Sequence, residues 1–320
     1  MSTVTQIIPE TKEHVTAPAI AHEGFLSSVR HYTELIKLRV TSLIVMTAWT
    51  GFYFGAQKSG IPSVSWTLFH ALLGIGMISG GTAAMNEVFE READALMRRT
   101  ARRPLPSGKM GLVEAISIST LLILGGAVYL ALTTNVLTAA LGLLTSAVYL
   151  GAYTPLKKVS PVCTFVGAFP GAMPPVLGWT AIRGGFDWEA LVLFAIVFFW
   201  QFPHFLSIAW LYREDYERAS IRMRPVVESD GISTTREILA YSLVLIPVSL
   251  APSFLGMSGK FYLYGALLMS TLLFWFGVRL AALRLPATSP NSKAQARQLL
   301  QATVFYLPLL FALMMFNVMM

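Results

Sequence analysis

Apolar residues run along this chain in blocks too long for a soluble core. Stretches of 18 or more fall near residues 39–56, 66–88, 113–132, 135–154, 162–182, 189–212, 237–257, 261–283 and 298–318. A helix crossing a bilayer needs roughly 20 mostly apolar residues, so the pattern predicts nine membrane-spanning helices and an all-α, polytopic fold. Only the turn Thr133, Thr134, Asn135 parts the third stretch from the fourth. Pro170, Pro174 and Pro175 are expected to break the fifth. Gly80, Gly81, Gly142, Gly167 and Gly171 are expected to let neighbouring helices approach closely. The first 38 residues are polar, with Glu10, Glu13 and Glu23, and lack both a signal-peptide core and an arginine-rich transit pattern. We read residues 1–33 as a cytoplasmic tail and 34–320 as the membrane domain of a bacterial inner-membrane protein.

Composition agrees: 55% of the 320 residues are hydrophobic and 13% charged, with a mean hydropathy of +0.61, which excludes a single soluble globule. The lone cysteine, Cys163, excludes an intrachain disulfide and a cysteine-rich metal site. A net charge of +7 would suit nucleic acid, but position decides otherwise. Of the 24 basic residues, 21 fall in the N-terminal tail and the second, fourth, sixth and eighth loops, leaving Lys58, Arg183 and Lys260 on the other side. The positive-inside rule then puts the N-terminus in the cytoplasm and, with an odd number of spans, the C-terminus outside. Of the 17 acidic residues, Asp187 and Glu189 alone lie away from the cytoplasmic side. Orientation needs no carboxylates, so their gathering at the ends of spans two and six asks for a chemical reason.

At the end of span two, Asn86, Glu90 and Asp94 are spaced four apart. Each step turns a helix about 40° beyond a full circle and rises about 6 Å, so the three oxygens share a stripe. Mg²⁺ and similar hard cations take one or two carboxylates together with substrate phosphates. Arg98, Arg99, Arg102 and Arg103 follow at once, and guanidinium groups bind phosphate bidentately. Together these describe a diphosphate site; the same pattern also suits an ordinary helix end with solvated carboxylates and arginines that hold topology.

Span six carries Trp200, Gln201, Phe202, Pro203, His204 and Phe205, and closes with Tyr212 to Tyr216. If the helix continues past Pro203, His204 and Asp215 are 11 positions apart and share one face to within about 20°. An ionisable side chain inside a span marks a functional pathway by default, although a neutral imidazole bonded to a carbonyl fits as well. Glu214 and Arg218, four apart, are expected to form a solvated pair. Lys37, Arg39 and Lys157, which follows Tyr153, suit either substrate binding or snorkelling at the interface. No partner is evident for His70.

The run from Asn86 to Asp94, continuing through Arg99, Arg103 and Pro104 to Gly108, resembles the first signature of the UbiA-type intramembrane prenyltransferases. Tyr153 to Lys157, Gly171 to Trp179 and Trp200 to Phe205 resemble the branch that farnesylates haem. The resemblance runs from about Glu34 to the C-terminus. It implies a bundle of nine helices around a central cavity that opens to the cytoplasm, with farnesyl diphosphate and protohaem IX (haem B) as substrates and Mg²⁺ as the divalent cation. By position it makes Asn86, Glu90 and Asp94 the first metal-diphosphate motif, with Asp215 in the second, and sets Arg99 and Arg103 on phosphate. Trp200 would help to wall the cavity. His204 would orient water, contact the haem or ligate its iron. Departures exist: the second motif lacks paired aspartates four apart, and Ser220 and Arg224 stand where glycine and leucine are expected. A hydrophobic product would make a haem A synthase or a terminal oxidase assembly a plausible transient partner. The rivals are a prenyltransferase acting on an aromatic acid or quinone precursor, a transporter, and a haem-binding structural protein. A transporter should show inverted repeats and charges at mid-membrane, whereas nearly every carboxylate here sits at one mouth.

Overall fold

The computed structural model describes residues 25–228 and 230–319. Most of the expected tail, with Glu10, Lys12, Glu13 and Glu23, lies outside the described residues; its last part is helical, within α1 (Phe25–Leu35). A left-handed Lys37, φ 49°, then turns the chain by 52° into α2 (Leu38–Lys58). The long helices that follow are α3 (Trp66–Leu96), α4 (Leu112–Thr133), α5 (Val136–Leu156), α6 (Cys163–Arg183) and α7 (Trp188–Leu211). After the short α8 (Arg213–Arg218) come α9 (Ile232–Phe254), α10 (Lys260–Ala282) and α11 (Pro290–Phe316). Among the described residues eight helices are long and apolar enough to cross a membrane, and nine if α1 and α2 count as one bent span.

Local chemistry sets the breaks. Ser65 Oγ caps α3 by accepting from the Leu68 N–H. Asn135 caps α5 through the Thr138 N–H at 2.9 Å and donates to the Thr180 carbonyl at 2.8 Å, so the expected turn is also a tie to α6. α6 breaks at Met173, as its prolines predicted, because Pro174 and Pro175 cannot donate to the preceding turn. Within α5, residues Tyr149–Tyr153 form a π-turn, whose extra residue re-aims the side chains that follow.

Packing depends on close backbone approach. A Cβ on Gly51 would overlap the Pro175 carbonyl, and one on Gly178 would overlap the Ala48 carbonyl, so α2 and the second half of α6 interlock by their backbones. Gly81, Gly142, Gly167 and Gly171 likewise admit Leu122, Ile78, Tyr153 and Gln201. Aromatic rings fill the seam of α6, α7 and α9, where Phe202 stacks on Tyr241 at 3.6 Å between centroids. His70, left without a partner by the sequence, is bonded to the Tyr129 hydroxyl at 2.6 Å.

Candidate active site

α3 runs eight residues past the expected end of its span, which keeps Glu90 and Asp94 on the same helix as Asn86. Three cations converge on this helix end. Lys37 Nζ donates to Asn86 Oδ1 at 3.1 Å, Lys157 Nζ to Glu90 Oε1 at 2.7 Å, and Arg103 Nη1 to Asp94 Oδ2 at 2.7 Å. Each arrives by a local device: Lys37 through its left-handed hinge, Lys157 after the π-turn, and Arg103 from the turns that follow α3. The π-turn also brings Thr154 Oγ1 to the Asn86 amide, which donates to it at 3.1 Å, and leaves Lys157 Nζ 4.5 Å from the centre of the Tyr153 ring. Lys37 and Lys157 are therefore members of the cluster rather than interfacial anchors.

The sequence reading missed Glu87. Its side chain is 1% exposed and lies 3.8 Å from Lys37 Nζ and 3.5 Å from Arg103 Nε, yet neither carboxylate oxygen accepts a hydrogen bond. A spacing of four from Asn86 steps over it. The spacing of seven from Glu87 to Asp94 would have found it, since it puts the two within about 20° on the helix.

The second motif sits differently from the expectation. α7 ends at Leu211, and Tyr212 leaves the helical region at φ −108°, ψ 25°. Asp215 therefore belongs to α8, and it does not continue the His204 face. The Arg218 side chain binds Asp215, and the Arg98 N–H donates to it at 3.4 Å. Arg218 thus pairs with Asp215 rather than with Glu214, whose partner is Lys293 at 2.6 Å. Loops two and six do meet: Arg99 donates to the Tyr216 hydroxyl at 3.0 Å and lies over the rings of Tyr212 and Tyr216. Ser220 occupies the left-handed region, φ 55°, which accounts for a glycine being expected there.

His204, Trp200 and Gln201 stand apart from this charge cluster. His204 Nδ1 is 2.9 Å from Thr303 Oγ1 on α11, and its ring stacks on Trp200, whose Nε1 donates to the Thr303 carbonyl at 2.8 Å. Gln201 donates to the Ala168 carbonyl at 3.0 Å, near the break in α6. Among the described residues no three His, Cys, Asp or Glu side chains converge tightly enough to cage a metal by themselves. The arrangement is instead three carboxylates and an amide matched to three cations at one end of the bundle. It can neutralise, orient and release a polyanion.

The UbiA prenyltransferase family's sequence profile matches residues 44–299. A protoheme IX farnesyltransferase from Koribacter versatilis is 63% identical over 304 residues, spanning 95% of this chain and 98% of that one. Its namesake from Solibacter usitatus is 46% identical over 299 residues, spanning 90% and 99%. Among solved structures, digeranylgeranylglyceryl phosphate synthase superposes with a TM-score of 0.73 at 16% identity, over 91% of this chain and 98% of that one. A UbiA homolog from Archaeoglobus fulgidus, bound to GPP and Mg²⁺, superposes at 0.59 with 18% identity over 89% and 99%. At such identities the structural likeness carries the fold alone. The chain belongs to the UbiA prenyltransferase family and is a multi-pass membrane enzyme of prenyl transfer. The transporter and haem-binding structural readings of the sequence fall away with that membership.

Proposed function

We propose that this enzyme transfers the farnesyl group of farnesyl diphosphate to the 2-vinyl group of protohaem IX and, with addition of water, forms haem O and diphosphate. Two relatives that match nearly the whole chain are named protoheme IX farnesyltransferase, which supports the two substrates of this reading. The observation that carries the chemistry is the matched cluster of Lys37, Arg103 and Lys157 with Glu87, Glu90 and Asp94. Asn86, Glu87, Glu90 and Asp94 are hard oxygen donors, and both oxygens of buried Glu87 lack hydrogen-bond donors. That donor chemistry fits Mg²⁺ bound together with a diphosphate, which Asn86, Glu87, Glu90 and Asp94 would hold, with Asp215 contributing from the second motif. When bound there, the ion neutralises charge that builds on the leaving diphosphate.

Arg103, Lys157 and Lys37 would bind the diphosphate oxygens, and Arg99, which ties loop two to Tyr216, would add positive charge from that loop. The C1–O bond breaks with its electron pair going to diphosphate. The vinyl π-bond closes on C1, water adds to the resulting cation, and its proton leaves to solvent. The aromatic seam in which Phe202 stacks on Tyr241 and Trp200 on His204 would keep the neighbouring interior dry, so that water does not reach the allylic cation prematurely. With Nδ1 held by Thr303, His204 keeps Nε2 for the haem or for the adding water.

The basic loops favour an N-terminus in the cytoplasm and a C-terminus on the outer side of a bacterial inner membrane, with residues 34–320 as the catalytic domain. The hydrophobic product suits direct hand-over to a haem A synthase or oxidase assembly. The test is incubation of purified protein with haem B, farnesyl diphosphate and Mg²⁺, followed by mass analysis. We expect haem O. No haem O, with prenylation of an aromatic acid or quinone precursor instead, would move the enzyme to another branch of its family.

A further inference from the structure

Away from the charge cluster, but at the same end of the bundle, a cleft of about 740 Å³ opens between the ends of α7, α9 and α10. Its floor is apolar, formed by Trp210, Leu239 and Leu280, and its rim carries Arg213, Arg236 and Arg284. The floor is built rigidly. Trp210 is buried and donates to Ser292 Oγ at 3.2 Å, and Ser292 in turn bonds the Pro286 carbonyl at 2.7 Å. Gly231 starts α9 with φ 73°, directly against the Trp210 ring, where a Cβ would clash.

The rim is unevenly committed. Arg213 donates to the Pro225 carbonyl at 2.9 Å and to Glu217 at 3.1 Å. Arg236 and Arg284 are exposed, and neither has an ion pair among the described residues. The one acid in the cleft, Asp230, is occupied as acceptor for the Ile232 N–H at 3.0 Å. Two guanidinium groups thus face a volume large enough for a phosphate-bearing headgroup. Below them α9 turns apolar on the same face. Leu243 is seven residues beyond Arg236, within about 20° around the helix and about 10 Å further along it, and it is 55% exposed. Arginines above an exposed apolar stripe describe an amphiphile with an anionic head and a long tail.

We propose that this cleft holds the phosphate headgroup of an anionic phospholipid, with an acyl chain lying along α9. The chemistry is phosphate with guanidinium, and the stripe ending at Leu243 selects a lipid over a free phosphate compound. The experiment is native mass spectrometry of the full chain, titrated with dioleoylphosphatidylglycerol or dioleoylphosphatidylcholine, with inorganic phosphate as competitor. The expected result is at least tenfold tighter binding of phosphatidylglycerol. R236Q/R284Q should lose roughly 30-fold of that affinity while keeping its prenyl-transfer rate in phosphatidylcholine. Should the double variant not fold, R284Q alone, altered only in an exposed loop, should lose about fivefold. Equal binding of both lipids, or unchanged binding in the variants, overturns the site. Displacement of the lipid by millimolar inorganic phosphate overturns the lipid as occupant in favour of a free phosphate compound.

Discussion

Lys37 is placed by the fold among the candidate site residues. Its left-handed backbone makes the hinge between α1 and α2, and the same turn aims its ammonium at Asn86. Loss of that charge should weaken binding of prenyl diphosphate about tenfold in K37Q, whereas K37R, which keeps a cation at the hinge, should bind it nearly as the native protein does. Binding titrations of the three proteins check this, and native affinity in K37Q would contradict it. Ser220 gives a second prediction of the opposite sign. Its left-handed backbone strains a side chain, so S220G should gain roughly 0.5 to 1 kcal/mol, read as a higher melting temperature in detergent. No gain, or a loss, would mean that the seryl side chain compensates for the strain.

Between elements, some glycines admit another backbone, some a neighbouring side chain, and some face open space. G51A drives a methyl into the Pro175 carbonyl and should cost about 2 to 3 kcal/mol. G151A meets nothing within 4 Å and should leave the melting temperature near that of the native protein. Thermal unfolding of the pair checks the interlock of α2 with α6, and equal stabilities would refute it. Elements of this kind were legible in the sequence to different degrees. Hydropathy gave the long helices because membrane burial dictates their length, and prolines gave the break at Met173. The π-turn at Tyr149–Tyr153 and the Tyr212 break before α8 left no mark in composition, since each depends on how neighbouring helices dock. The Tyr212 break takes Asp215 off the His204 face, whereas Arg218 lies one turn from both Glu214 and Asp215 in the same short helix, so spacing alone does not choose its partner. Asn86, Glu90 and Asp94 were readable from a spacing of four, whereas Glu87 needed a spacing of seven to be noticed.

For the molecule as a whole, the basic loops and the charge cluster lie at one end, and Lys58, Arg183, Asp187 and Glu189 pair with one another at the other. This polarity predicts that alkaline phosphatase fused after residue 320 is active in bacterial cells and that a fusion after loop two is inactive. The reverse pattern would invert the topology and put the cluster outside. The proposed reaction depends on the end of α3, where Glu87, Glu90 and Asp94 face Lys37, Arg103 and Lys157. Its most direct test is single-turnover formation of haem O by the native protein, E90Q and D94N, with haem B binding measured alongside. Both variants should bind haem normally and react about 10² to 10³ times more slowly, whereas native rates in either would show that the cluster does not take part in the chemistry.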